Sequence, residues 1–398
     1  MPADWQRRFS PYGQRAGGAE TRAFLRMVGQ PGLISFAGGI PDASLFPAAL
    51  IADAHRRILE DPARAEAALQ YSMSEGYPPL REWIAGHMRA KGVVCGIDNI
   101  LITNGSQQGL YLAGQLLLGA GDRVLTGRPT YLGVLHAFAA SDPRYGPLSG
   151  LEGPDRVDAK LAYVMPDFAN PTGESLSLAE REALIAAAQV HDFVLLEDAA
   201  YTELRYRGTP RPSLLALDLE RCGDIEESRV IHCGTFSKTI IPGLRAGWVV
   251  AAAPVIAKMG LLKQASDFHT GTLTQMVLAD VAARLPQSHI AMLCETYGAR
   301  LDAMLKALAA DMPPGVEWTK PEGGMFIWVT LPEQIDSGQL LAEALSEGVA
   351  FVPGASFFPE NRRANTLRLN FSLCDPSVIR EGVARLGRLV ARTMTKID

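Results

Sequence analysis

Cysteine is scarce: five in 398 residues, too few for a disulfide framework. None of Cys95, Cys222, Cys233, Cys294 and Cys374 falls in a C-x-x-C pair, which argues against a structural zinc site. This usage suits a reducing compartment, and a cytoplasmic location is expected. The seven histidines show no H-x-x-x-H or H-E-x-x-H spacing, so no catalytic metal is expected. G-x-S-x-G is absent, and with it the nucleophile-elbow serine. Gly38-Gly39 lacks the third glycine and the strand-to-helix context of a dinucleotide fingerprint. Long apolar runs are missing too. The most apolar stretch, 246–257, contains Pro254 and is well short of the ~18 residues that span a bilayer. Neither charge sign dominates: 38 basic against 43 acidic residues give −5, which points to neither nucleic acid nor an anionic membrane as partner. Asp4, Arg7 and Arg8 stand near the N-terminus without an apolar segment, so a functional arm is expected rather than a secretory signal.

What is present suffices for a large core. Apolar residues make up 47% of the chain and charged residues 20%, which excludes a wholly disordered protein. From about residue 75, short apolar strands alternate with helical periodicity. Strands are expected at 100–103, 123–126, 161–165, 193–197, 230–233 and 247–251. Helices are expected at 78–91, 106–118, from 131, and at 178–190. The alternation predicts an α/β fold: a mainly parallel sheet covered by helices on both faces. After about residue 285 the pattern changes to a long helix (288–309), short strands at 316–319, 325–330, 349–352 and 367–370, a helix at 339–347 and a terminal helix. These form a smaller α+β layer that folds with the N-terminal arm, making it discontinuous in sequence. The arm carries an amphipathic segment at 20–28, followed by FAGGIPDASLFP.

In open α/β sheets ligands bind outside the carboxyl ends of the strands. The residues that follow the expected strands are Asn104-Gly105-Ser106-Gln107, Pro129-Thr130-Tyr131, Asn170-Pro171-Thr172-Gly173, Asp198 with Tyr201, and Thr235-Phe236-Ser237-Lys238. Gly105-Ser106-Gln107 opens a helix whose free N–H groups suit phosphate; a plain N-cap by Ser106 is the bland alternative. Lys238 can form an imine with an aldehyde when its amine is neutral, and Arg245 is a cation able to lower its pKa and to take phosphate. The alternative is a solvated lysine followed by a structural arginine. Asp198 closes an apolar strand, where a carboxylate needs a partner such as a protonated ring nitrogen. A helix N-cap is the competing reading. Tyr201 and Asn170 can meet the oxygen of the same ring. His232-Cys233 lies in a buried strand and reads as structural.

NGSQQ, PTY, NPTG, EDAAY, GTFSK-x6-R and TLRLNF together resemble the fold-type I pyridoxal-phosphate aminotransferases, nearest to the 2-aminoadipate/kynurenine subgroup, from about Phe36 to Phe371. The resemblance implies transfer of an amino group from an amino acid to a 2-oxo acid such as 2-oxoglutarate, in a homodimer with shared active sites. It makes Lys238 the Schiff-base lysine and proton shuttle, and Asp198 the partner of the pyridine nitrogen. Asn170 and Tyr201 are implied at the ring oxygen and Tyr131 on the ring face. Ser106, Gln107, Thr235, Ser237 and Arg245 form the implied phosphate cup, which Tyr71 of the neighbouring subunit reaches. Arg368 is the implied clamp for the substrate α-carboxylate, Gly39 allows its close approach, and Arg22 is the candidate for its distal end. Ala200 and Ala169 depart from residues common in relatives (proline and glutamine) without removing required chemistry. The implied division is 1–50 for the arm and part of the small domain, 51–289 for the large cofactor-binding domain and 290–398 for the small C-terminal domain. Two other readings are a β-lyase on the same scaffold and a non-catalytic ligand-sensing module. The latter carries little weight, because about 35 residues precede the shared region, too few for a winged helix.

Overall fold

The computed structural model describes residues 4–15, 27, 30–151 and 157–397. Its centre is a seven-stranded sheet of β2 (Ile100–Thr103), β3 (Arg123–Thr126), β4 (Arg144–Pro147), β5 (Leu161–Val164), β6 (Val194–Asp198), β7 (Val230–Thr235) and β8 (Gly247–Val250), in the order β2-β8-β7-β6-β5-β3-β4. Only β8 runs against the other six. The strands are short apolar runs because both sheet faces are covered. Their alternation sorts side chains between two cores. Leu101, Leu161, Tyr163, Leu196, Ile231, Cys233 and Val249 pack on one side, and Ile100, Ile102, Ala162, Val164, Leu195, Val230 and Val250 on the other.

The second layer contains β9 (Glu317–Trp318), β10 (Phe326–Thr330), β12 (Val352–Pro353) and β13 (Thr366–Asn370) in the antiparallel order β12-β13-β10-β9. The run expected as one strand at 349–352 is split: β11 (Val349–Ala350) pairs instead with β1 (Ile34–Ser35), in parallel. The Asn370 N–H also donates to Phe36 O (2.8 Å). The stretch just after the N-terminal arm is thereby stitched to the C-terminal layer.

The apolar run 246–257 is divided between β8 and the Ala253–Ser266 helix, and Pro254 lies just inside the second. It sits in the first turn of the Ala253–Ser266 helix, where its missing N–H costs nothing. A second unforeseen helix, Thr272–Arg284, follows.

Gly247 begins β8 where three backbones meet. A Cβ there would lie 2.7 Å from both Ser106 N and Gly234 O, main-chain atoms that cannot turn aside. Gly247→Ala is therefore expected to destabilise the chain by ~1–3 kcal/mol, read as a lower denaturant midpoint.

Candidate functional site

The carboxyl ends of β2, β3, β5, β6 and β7, and the start of β8, lie along one edge of the large sheet. β7 ends at Thr235, and the chain turns through Ser237 to Lys238. The Ser237 N–H donates to Thr235 Oγ1 (3.1 Å), and the Thr235 hydroxyl donates to Ser237 Oγ (3.0 Å). Lys238 Nζ donates to Gly39 O (2.9 Å) and stands 5.6 Å from the centre of the Tyr201 ring. Burial, then the charges of Arg245 and Arg368, bring its pKa down to about 8, with Asp198 opposing. Burial is the larger influence, ahead of the cation expected from sequence. A large neutral fraction near pH 8 is what a nucleophilic lysine requires.

Asp198 closes β6 and is 2% exposed. Its Oδ2 accepts the Tyr163 hydroxyl (2.8 Å), while among the described residues Oδ1 is buried without a hydrogen-bond partner. Burial pushes its pKa up to about 6, against the pull of the Tyr163 bond, the nearby Ala200 N–H and the cations around it. An orphaned carboxylate oxygen is costly until a donor reaches it. The residues after Asp198 form turns, and the next helix starts only at Leu214, so Asp198 is not a helix cap.

At the end of β2, Gly105 takes φ 80° and is itself the N-cap of the Ser106–Leu117 helix, so Ser106 is the first helical residue. A Cβ on Gly105 would meet Arg245 Nη2 at 2.7 Å, which puts that guanidinium against the helix opening. Arg245 adopts φ 50°, a left-handed backbone that costs a residue with a side chain ~1–2 kcal/mol. Its Nη1 donates to Pro242 O (3.1 Å), and among the described residues no carboxylate pairs with it. Gln107 Nε2 donates to Gly133 O (2.7 Å), and the Tyr131 hydroxyl donates to Gln107 Oε1 (3.3 Å). Burial pushes the Tyr131 phenol up to about 12. An open depression of about 370 Å³ lies over Gln107, Gln108, Tyr111 and Arg245.

Arg368, in the middle of β13, donates from Nη1 to Asn170 Oδ1 (2.8 Å) and from Nη2 to Ala37 O (2.9 Å). Its guanidinium lies 4.3 Å from the centre of the Phe326 ring and 5.2 Å from that of Phe357. Among the described residues Nε is buried without a partner, and burial lowers the pKa to about 10. A buried cation held, among the described residues, by neutral oxygens and ring faces can donate to a carboxylate. Gly39 approaches Phe326 closely, leaving its own Cβ position 3.0 Å from Phe326 Cζ. Tyr201 is buried edge-on to the same ring.

The fold thus gathers Gly39, Asn170, Asp198, Tyr201, Lys238 and Arg368 at one edge of the sheet, with Ser106, Gln107, Tyr131, Thr235, Ser237 and Arg245 on the adjoining strand and helix ends. Tyr71 is elsewhere, 79% exposed and edge-on to Phe268 and His269. Arg22 lies outside the described residues. Tyr163 was not foreseen. The signal available was register: it pairs with Leu196, two residues before Asp198, and so shares that residue's face.

The neighbouring Glu197 points to the opposite face and serves the fold. It accepts from His232 Nδ1 (2.8 Å) and from the N–H groups of Leu214 and Leu215 (2.8 and 3.2 Å), capping the Leu214–Cys222 helix. Burial alone would raise its pKa, yet the His232 interaction and these N–H bonds hold it below the usual value. Its stabilisation is present above the ordinary glutamate pKa and is lost as pH falls through the lowered one. Glu197→Ala is expected to cost about 3–5 kcal/mol in denaturant unfolding at neutral pH.

The amine, the orphaned acid oxygen, the helix opening with its arginine and the unpaired guanidinium fit a flat, phosphate-bearing heteroaromatic aldehyde beside an α-carboxylate. Residues 164–386 match the family model described as aminotransferase class I and II. Aromatic-amino-acid aminotransferase 1 of Thermococcus litoralis is 38% identical over 99% of this chain and 96% of its own length. The 2-aminoadipate transaminase of Thermus thermophilus is 37% identical over 97% of both. The crystal structure of Pyrococcus horikoshii kynurenine aminotransferase, a complex with PMP, superimposes with a TM-score of 0.90 at 39% identity, covering 98% of this chain and 99% of that one.

Proposed function

The chain belongs to the class I and II aminotransferases, and on that premise we propose that Lys238 is its covalent attachment and proton-transfer residue, with Asp198, Arg245 and Arg368 as the charged groups that hold cofactor and substrate. The protein is a transferase that uses pyridoxal phosphate and moves an amino group between an amino acid and a 2-oxo acid. The relatives named above are transaminases, which does not favour the β-lyase reading.

The observation that carries the assignment is the pairing of opposite tunings at one edge of the sheet: an amine brought down to about 8 beside an acid pushed up to about 6 with one oxygen unpartnered among the described residues. When bound, the cofactor supplies an aldehyde carbon that takes the amino group and a cationic ring that accepts the electron pair freed at the substrate α-carbon. Asp198 Oδ1 would accept the ring N–H and, as an anion, keep it protonated, with Tyr163 fixing the carboxylate. Asn170 and Tyr201 would hold the ring oxygen, and Tyr131 would cover a ring face. Ser106, Gln107, Thr235, Ser237 and Arg245 would hold the phosphate. Arg368 would exchange its carbonyl contacts for the substrate carboxylate, and Lys238 Nζ would take and return the α-proton.

The donor class proposed is amino acids with long or aromatic side chains, the common ground of the relatives' names, with 2-oxoglutarate as acceptor. A screen of donors against the purified holoenzyme, followed by its visible absorbance, ranks them. A preference for short aliphatic donors alone would overturn this class. Arg22 is proposed at the distal end, and an unchanged kcat/KM ratio for 2-aminoadipate over leucine in Arg22→Ala would remove it. Arg368→Gln is expected to lower kcat/KM for amino donors by ~10²–10³, mainly through KM, because a buried charge-assisted pair is lost.

A homodimer is proposed as well, supported by Leu69, Tyr71, Met73 and Phe268, which are apolar and exposed on one protomer. Tyr71 would then reach the partner's phosphate. The division into 1–50, 51–289 and 290–398 and a cytoplasmic location belong to the same proposal. No helix among the described residues is long and apolar enough to cross a membrane.

A further inference from the structure

Behind the turn that opens the Ser106–Leu117 helix sits a polar cluster that none of the steps above uses. Lys263, on the Ala253–Ser266 helix, has no exposed surface. Its Nζ donates to both oxygens of Asp267 (2.8 and 2.9 Å) and to Gln108 Oε1 (2.8 Å). Asp267 caps the helix that carries Lys263, and its Oδ2 also accepts from Gln108 Nε2 (2.6 Å) and from Asn104 Nδ2. Gln108 Oε1 accepts in turn from the Asn104 N–H (2.8 Å). Asn104 is gripped by main chain and side chain immediately before Gly105.

A pair of a buried lysine and a partly exposed aspartate is a weak source of stability, since well-packed apolar residues often serve as well. What such residues cannot do is supply the acceptor that orients Asn104 and Gln108. Those two flank Gly105, Ser106 and Gln107, and Gly105 lies directly against the Arg245 guanidinium. A small shift of this turn therefore changes the spacing between the helix N–H groups and Arg245.

We propose that Asp267, clamped by Lys263, is a positioning residue that sets the spacing of the phosphate cradle formed by the Ser106–Leu117 helix opening and Arg245. The inference rests on the reading that this cradle holds the cofactor phosphate.

The test titrates the cofactor-stripped full chain with pyridoxal phosphate and, in parallel, with pyridoxal, which lacks the phosphate. Wild type is expected to favour pyridoxal phosphate strongly. Asp267→Asn is expected to weaken pyridoxal phosphate by ~10–100-fold, the worth of charged hydrogen bonds, and to leave pyridoxal unchanged. In the double variant Lys263→Met/Asp267→Leu, Tm is expected to return to the wild-type value or above while the preference for the phosphorylated ligand stays reduced. Equal weakening of both ligands, or no weakening of either, would overturn the proposal. So would a double variant of normal Tm that regains full preference. If wild type itself fails to distinguish the two ligands, the assignment of the cradle to phosphate falls, and this inference falls with it. That result appears in the unmutated chain and is distinct from the variant outcomes.

Discussion

Lys238→Ala is expected to lower turnover by ~10⁴-fold or more while leaving pyridoxal phosphate bound, now without a covalent link to the chain. The two halves of this expectation come from different atoms. Turnover needs a base at the substrate α-carbon, and proton transfer by a positioned side chain contributes ~10²–10⁴-fold. Covalent attachment adds a further requirement that alanine cannot meet. Retention, by contrast, depends on Arg245, the helix opening at Ser106 and the hydroxyls of Thr235 and Ser237, which the substitution leaves in place. The measurement is a half-reaction with an amino donor, alongside mass spectrometry of borohydride-treated protein under denaturing conditions. Wild type should carry the cofactor mass on the peptide containing Lys238, and the variant should carry none. Loss of binding together with turnover would mean that Lys238 acts mainly as a structural cation. The lowered pKa argues against that role, because a buried lysine near two arginines is poorly suited to remain charged.

The same tuning predicts a pH dependence for cofactor loading. The free amine adds to an aldehyde, so the rate of covalent attachment should rise with pH and level off above about 8, where the Lys238 amine is largely neutral. Stopped-flow absorbance on the stripped chain measures this. A rate still climbing steeply at pH 10 would indicate an unperturbed lysine.

Much of the site was legible because its residues break local rules. A carboxylate closing VLLED and a lysine after GTFS contradict the apolar strands they follow, and such conflicts concentrate where function outweighs folding. The strands themselves were legible because apolar runs of four to six residues bounded by turns are what a two-sided sheet requires. The Ala253–Ser266 helix was not, since Leu261 is exposed while Lys263 is buried, which reverses the usual amphipathic pattern. Tyr163 was hidden for a related reason. In LAYV it looks like packing, and only the register with β6 turns its hydroxyl toward Asp198. The Lys263–Asp267 pair has helical spacing and reads as a surface ion pair, while Gln108 and Asn104 reach it from far along the chain. Tyr71 belongs to the opposite case. Its sequence context is informative, but its proposed contact is with another copy of the chain.

Asp198→Asn is expected to move activity and stability in opposite directions. In the cofactor-free chain, Asp198 is a buried acid whose folded pKa, about 6, exceeds the ordinary value of 3.8. An acid shifted upward favours folding below its unfolded pKa, and that advantage is lost as pH rises through the folded one. At neutral pH the ionised group therefore weighs against the fold by on the order of 2–3 kcal/mol. Asparagine removes the charge while keeping the shape and an acceptor for the Tyr163 hydroxyl. The stripped variant should unfold at higher denaturant than the stripped wild type at pH 7, and the difference should vanish near pH 4. Turnover should fall by ~10²–10⁴-fold, because a neutral amide cannot hold the ring nitrogen protonated and the ring ceases to draw electrons from the α-carbon. Asp198→Glu separates charge from placement: it keeps the anion but carries it one methylene away from the Tyr163 hydroxyl, so it should not gain the stability that asparagine gains. Equal activity in Asp198→Asn and wild type would remove Asp198 from the reaction. A stripped Asp198→Asn chain less stable than wild type at pH 7 would mean that Oδ1 already has a partner when the cofactor is absent.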